Sequence, residues 1–278
     1  MSTALATISA SDERALAAML GMATEEKSFM PQLKVNLEDE DAEGNPLKKG
    51  KFFVTGQEIP AYADKVRIRP LSQMFQWVEY DPDQNKAVNR TLVIPNFRAE
   101  PRDEKGGVRC GKPASKILKD NPELAKKYKN ITCFRLVHCL ASYEGESSTG
   151  DKIKVENQPA LLRLKGANFS PFEDEVIKAL PKGTKLYDFW IEVSATKKKN
   201  GSVTYFVLNF NPELGKPVPL DQMTYDTMLH IAGTIKEEND RIESKYRAAV
   251  GGRSADEAAL NAIEVLDSDS LDDDLVDE

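Results

Sequence analysis

Residues 131–143 read ITCFRLVHCLASY, and residues 152–165 read KIKVENQPALLRLK; these two stretches decide how the rest of the chain is read. The first is an almost unbroken apolar run with β-branched and aromatic side chains. The second alternates polar and apolar residues on either side of Pro159. Both read as strands. The period then changes: Ser170 is a helix N-cap, Pro171 takes the first position, and Phe172, Val176, Ile177 and Leu180 recur at helical spacing. Pro181-Lys182-Gly183 ends that helix. Two further strand runs, 185–195 and 202–210, are joined by Thr196-Lys197-Lys198-Lys199-Asn200-Gly201, where Asn-Gly is a hairpin signal.

Outward from this block, shorter strand runs lie at 51–57, 65–69, 74–80 and 90–95. Turn-rich loops occupy 36–50 and 99–115, and Pro122 opens a short helix to about residue 128. A long helix covers about 221–249, and Gly251-Gly252 releases the chain into its tail. Strand, strand, helix, hairpin is the order of a five-stranded OB barrel, with its helix between the third and fourth strands. The expected fold is therefore mainly β with helices (α+β), an OB-like barrel followed by a long C-terminal helix. The expected divisions are an N-terminal arm at 1–30 with a short helix capped at Ser11-Asp12-Glu13, the barrel domain at 31–220, the helix at 221–250 and a disordered acidic tail at 251–278.

The formal charge of −7 comes from 38 Lys and Arg against 45 Asp and Glu over 278 residues, and it is unevenly placed. Residues 254–278 hold ten acids and no Lys or Arg, which leaves 35 acids against 38 bases, or +3, on residues 1–253. A basic body with an acidic tail does not exclude a polyanionic ligand. Three cysteines, an odd count, argue against a disulfide framework. No apolar run approaches the ~20 residues that span a bilayer, and no secretion signal is read at the N-terminus. A cytoplasmic protein is expected, in the host cytoplasm if viral.

Period-two alternation puts Lys65, Arg67 and Arg69 opposite Val66 and Ile68. It puts Lys152 and Lys154 opposite Ile153 and Val155, and Arg163 and Lys165 opposite Leu162 and Leu164. Taken singly, each basic stripe suits a solvated barrel exterior; three together suit a phosphate track. Single-stranded nucleic acid also needs flat faces for its bases, each stack being worth ~1–3 kcal/mol. Phe75, Trp77, Tyr80 and Trp190 are the stacking candidates, with core packing as the alternative for each. Lys197, Lys198 and Lys199 would clamp phosphate without reading bases.

Catalytic signatures are absent: the sequence has no phosphate-binding glycine loop, no G-x-S-x-G and no H-E-x-x-H. Cys110, Cys133, His138 and Cys139 are the one zinc set to weigh, yet no C-x-x-C occurs and adjacent strand residues point to opposite faces. No cofactor and no catalytic residue are expected. In the long helix, Met228, Ala232, Ile235, Ile242 and Tyr246 form a narrow apolar stripe, suited to lying across the barrel or to pairing with a second copy.

On VRIRPLSQMFQWVEYD (66–81), the 131–210 block with KKKNG, ENDRIESKY (238–246) and the acidic tail, the chain resembles the OB-fold single-stranded DNA-binding proteins of short-tailed bacteriophages. The resemblance is architectural and runs from about residue 30 to the end. It implies a non-enzymatic protein that coats single strands in replication and recombination, often as a dimer, and contacts polymerase and helicase through its tail. Such tails often end in an aromatic residue; this one ends Val276-Asp277-Glu278. The alternatives are an adaptor whose barrel binds protein and a metal-dependent nuclease without a recognisable motif.

Overall fold

The structure, a computed structural model, describes residues 30–41, 44–84, 86–201 and 203–251. The expected N-terminal helix and acidic tail lie outside the described residues. Among the described residues eight strands make one sheet: β1 (Gln32–Val35), β2 (Phe52–Val54), β3 (Lys65–Asp81), β4 (Lys86–Arg90), β5 (Ile131–Glu146), β6 (Lys152–Leu164), β7 (Ile191–Asn200) and β8 (Val203–Pro212). The α-helices are α1 (Ser115–Asp120), α2 (Pro122–Lys127), α3 (Phe169–Glu175) and α4 (Gln222–Gly251). Strand order is β2-β1-β6-β5-β3-β7-β8, with β4 also on β3, and the sheet curls into an open half-barrel. Among the described residues no helix is long and apolar enough to cross a membrane.

The runs at 65–69 and 74–80, expected as two strands, are one. Against β5 the register jumps between Pro70 and Ser72, so Leu71 is an extra residue in a bulge that carries Pro70 through the strand. The other edge of β3 forks. Its first residues pair with β7, Phe75 bridges Ile94, and its last residues pair with β4.

Alternation then sorts the side chains. Val66, Ile68, Val137, Cys139, Leu162, Leu164 and Val193 meet Phe52 and Val54 of β2 and Phe172 and Val176 from the α3 region in the main core. On the opposite face, Val78, Val93, Phe134 and Leu136 form a smaller cluster that Ile235 of α4 covers. Helix α4 therefore lies across the outer face of the sheet, burying Ile231 and Ile242. Its Asn239 accepts the Val93 amide at 2.7 Å and donates to the Val93 carbonyl at 2.9 Å, fixing the 91–109 loop region to the helix.

A closed five-stranded barrel would join β6 to β8. Among the described residues no ladder does so; β1 pairs in parallel with β6 instead. The start of α3 fills the gap. Asn168 donates to the Phe206 carbonyl at 3.1 Å and accepts the Leu208 amide at 2.8 Å, and Glu175 accepts the Phe210 amide at 2.6 Å. This explains a second departure from expectation: the helix starts at Phe169, with no side-chain cap from Ser170, because the N-cap side chain of Asn168 is engaged on β8. The other edge of the sheet also approaches here. Gly50, at φ 91°, leaves room for the Phe206 ring, which would lie 2.6 Å from a β-carbon at that position.

Two more expectations need correction. The run 185–195 begins as a 3₁₀ turn at Leu186–Asp188 and becomes a strand only at Ile191, because Asp188 accepts the Lys185 amide and closes the turn. In the hairpin, β7 continues through Asn200, which pairs with Val203. The three lysines thus belong to a β-ribbon rather than to a turn.

Candidate nucleic-acid interface

The stripe alternation holds: Val66, Ile68, Val155, Leu162 and Leu164 are in the core, so their basic neighbours face outward. What those cations touch differs from one to the next. Lys65 is exposed but pairs with Glu192 at 2.8 Å. Arg67 makes a bidentate pair with Glu213 at 2.8 and 2.7 Å, and its guanidinium sits 5.1 Å above the Trp190 ring. The hydrogen bonds to Glu213 hold its proton even more firmly than usual. Arg69 is 2% exposed and donates to the carbonyls of Tyr187, Val218 and Pro219 and to the Thr224 hydroxyl. It sits in the fork of β3 and ties the start of α4 to the sheet, with no face left for a ligand.

On β6, Lys154 pairs with Glu156 at 2.7 Å and lies across from Glu144, while exposed Lys152 lies across from Glu146. Half-buried Arg163 packs 4.3 Å above the Phe134 ring with its Nε buried and unpartnered, and exposed Lys165 has its Nζ 5.6 Å from the same ring.

The four aromatics are better covered than a stacking platform requires. Phe75 is 3% exposed on the core face, against Phe97 and Phe169. Trp77 is half-buried, with Lys112 at 5.6 Å from its ring and a buried indole N–H without a partner. Tyr80 packs on Phe134 at 6.3 Å, and Trp190 lies half-buried beneath Arg67.

The β7–β8 ribbon is different. Lys197, Lys198 and Lys199 are exposed and pair across the ribbon with Phe206, Tyr205 and Thr204. Among the described residues no carboxylate stands within ion-pair distance of them, unlike Lys65, Arg67 and Lys154. Lys198 shares a face with Tyr205 and Val203, which are 36% and 63% exposed. Lys197 and Lys199 occupy the other face. At the ribbon's base, Phe206 is held by Asn168, three residues beyond Lys165.

Next to Asn168, Phe169 opens a cleft of about 460 Å³ between α3 and the loop at 95–98. Phe75, Phe97 and Phe169 line it with ring centroids 5.6 to 6.1 Å apart, Phe97 being 43% exposed. Arg135, 2% exposed, backs the cleft, bonded to Gln73 at 2.6 Å and Glu173 at 2.9 Å and lying over the Phe75 and Phe169 rings. Arg98 and Asn96 stand at its mouth. Sequence reading missed this cleft, because Phe97 falls in a loop and Arg135 in an apolar strand. The signals in the sequence are Phe75, a stacking candidate that does line the cleft, and Arg135, a lone charge in ITCFRLVHCLASY.

The zinc set is dispersed. Cys139 is in the core, where burial pushes its thiol up to about 12, while His138 faces outward. His138 Nδ1 shares a 2.7 Å hydrogen bond with the Ser72 hydroxyl, and burial lowers the imidazole to about 4. Cys133, half-buried, is raised to about 11 by desolvation, and buried Cys110 is raised further. Among the described residues no three His, Cys, Asp or Glu side chains are grouped to hold a metal ion. Compared with known proteins, the chain matches no family model, no curated sequence and no solved structure.

Proposed function

We propose that this protein binds single-stranded DNA without reading its sequence, coating and protecting the strand during phage replication and recombination. The observation that carries the reading is the β7–β8 ribbon, whose three exposed lysines have no carboxylate within ion-pair distance among the described residues and whose Lys198 shares a face with exposed Tyr205. Lysines on both faces of a projecting ribbon meet phosphates and release counterions, and a tyrosine face accepts any base. Lys165 and Lys152 extend the cationic track. Lys65, Arg67 and Lys154, already paired with carboxylates, contribute less, and Arg69 holds the fold together.

The strand pairs support the fold-level part of this reading. Pairs β3–β5, β5–β6, β3–β7 and β7–β8, with a helix before β7, follow the connectivity of an OB barrel opened between β6 and β8. In such barrels the loop joining the last two strands flanks the ligand groove. The acidic residues 254–278 compete with DNA for the lysines and dock replication proteins such as polymerase and helicase. Nothing in the reading gives the chain an enzymatic step. The protein-binding alternative, including a homodimer, rests on Leu220, Met223, Tyr225 and Leu229, exposed at the start of α4.

Lysine-acetylation footprinting of the full chain with and without oligo-dT tests the proposal. Lys197, Lys198, Lys199 and Lys165 become protected, while Lys236, paired with Asp240 on α4, does not change. Uniform reactivity at saturating oligonucleotide contradicts it.

A further inference from the structure

The cleft beside α3 has a composition that a phosphate track does not need. Its charges balance: Arg98 and Arg135 against Glu173 and Asp174. A phosphate gains little from such a lining, whereas a neutral ring with polar edges finds both donors and acceptors. Three phenylalanine rings supply flat apolar surface, and Phe97 turns 43% of its area to solvent. Its ring neighbours are buried Phe75 and half-buried Phe169, so the exposed Phe97 face is the outer part of a contiguous aromatic lining.

Arg135 gives the cleft a fixed polar wall. It is 2% exposed, its Nη1 donates to Gln73 and Glu173, and its guanidinium lies over the Phe75 and Phe169 rings. A charged pair held in place in this way presents its polar edge without having to reorganise. Asn96, also in the lining, accepts the Arg98 backbone amide on its side-chain Oδ1 at 3.0 Å, which fixes the Asn96 side chain and leaves its Nδ2 as the donor. A volume of about 460 Å³ lies within the range of small-ligand sites.

We propose that this cleft receives one unpaired nucleobase of the bound strand, its face on Phe97 and its polar edge toward Asn96 and the Arg135–Glu173 pair. The inference rests on the single-stranded DNA reading and adds a site to it. The β7–β8 ribbon holds phosphates, and the cleft, reached from the ribbon through Phe206, Asn168 and Phe169, takes a base out of the stack. Binding remains indifferent to sequence, because every base offers a π face and a polar edge.

The test uses the full chain and oligo-dT carrying a single central 2-aminopurine, whose fluorescence falls when it stacks on an aromatic ring, with affinity followed in parallel by anisotropy of a 5′ label. Wild type quenches the probe. Phe97→Ala loses the quench and binds about five- to ten-fold more weakly, and Phe97→Tyr restores both. Phe97 is partly exposed, so these variants fold, and their melting curves check it. If wild type binds the oligonucleotide but Phe97→Ala quenches the probe as before, whatever its affinity, the cleft is not the base site and the DNA reading stands. If wild type shows no binding at low salt, the DNA reading fails and this inference with it.

Discussion

The guanidinium of Arg69 donates to the carbonyl oxygen of Pro219 at 2.9 Å, across a sequence separation of 150 residues. The same group reaches Tyr187, Val218 and Thr224, so one buried cation joins β3, the turn before β7 and the first turn of α4. Replacing it with methionine leaves three partly buried carbonyls and the Thr224 hydroxyl without their donor, and stability falls by about 1–3 kcal/mol. Lysine does not rescue, because an ammonium cannot supply the planar fork. Urea denaturation of Arg69→Met and Arg69→Lys measures both.

Asn168 substitutes for the missing β6–β8 ladder. In Asn168→Ala the Leu208 amide and the Phe206 carbonyl lose their partners, and stability falls by about 1–3 kcal/mol. Hydrogen exchange locates the effect: the Leu208 amide exchanges faster, while amides in the β3–β5 ladder keep their protection.

His138 makes stability depend on pH. Burial lowers its folded-state value to about 4, against about 6.5 for an exposed imidazole. The unfolded chain therefore takes up the proton first, and the neutral form's contribution is fully present above pH ~6.5. It is lost as pH falls from there towards about 4, and the full loss is about 3 kcal/mol. His138→Gln flattens this part of the profile in thermal melts between pH 7 and pH 4; an unchanged slope assigns the acid lability to other groups.

The exposed lysines of the ribbon and the paired Arg67 predict different salt dependences. Each phosphate contact on a single strand contributes about 0.7 to the slope of log affinity against log salt. Changing Lys197, Lys198 and Lys199 to alanine together reduces that slope by about 2, with unfolding midpoints nearly unchanged because the three are exposed. Arg67→Ala changes the slope far less, because Glu213 already neutralises the guanidinium.

Periodicity carried the strand faces correctly, since Val66 and Ile68, and Leu162 and Leu164, are inward as alternation requires. It placed the outward cations too, but not their partners. Glu192 and Glu213 are remote in sequence; the β3–β7 pairing brings Glu192 to Lys65, and the β7–β8 pairing carries Glu213, just past β8, to Arg67. Arg69 has the same local pattern as Arg67, yet α4 covers it, and covering by a distant helix leaves no trace in a strand's own alternation. The open barrel was hidden for a related reason. The engagement of Asn168 with β8 is a tertiary hydrogen bond, so the sequence suggested Ser170 as the cap. The cleft combines a loop, a strand and a short helix, and no single window contains it.

The proposed function requires that the full chain bind single strands through charge and without sequence preference. Anisotropy of labelled oligo-dT, titrated at about 50 mM and about 200 mM salt with duplex as competitor, tests it most directly. Saturable binding at the lower salt, a loss of affinity by an order of magnitude or more at the higher, and weak competition by duplex are the expected results. No saturable binding at the lower salt, or binding indifferent to salt, contradicts it.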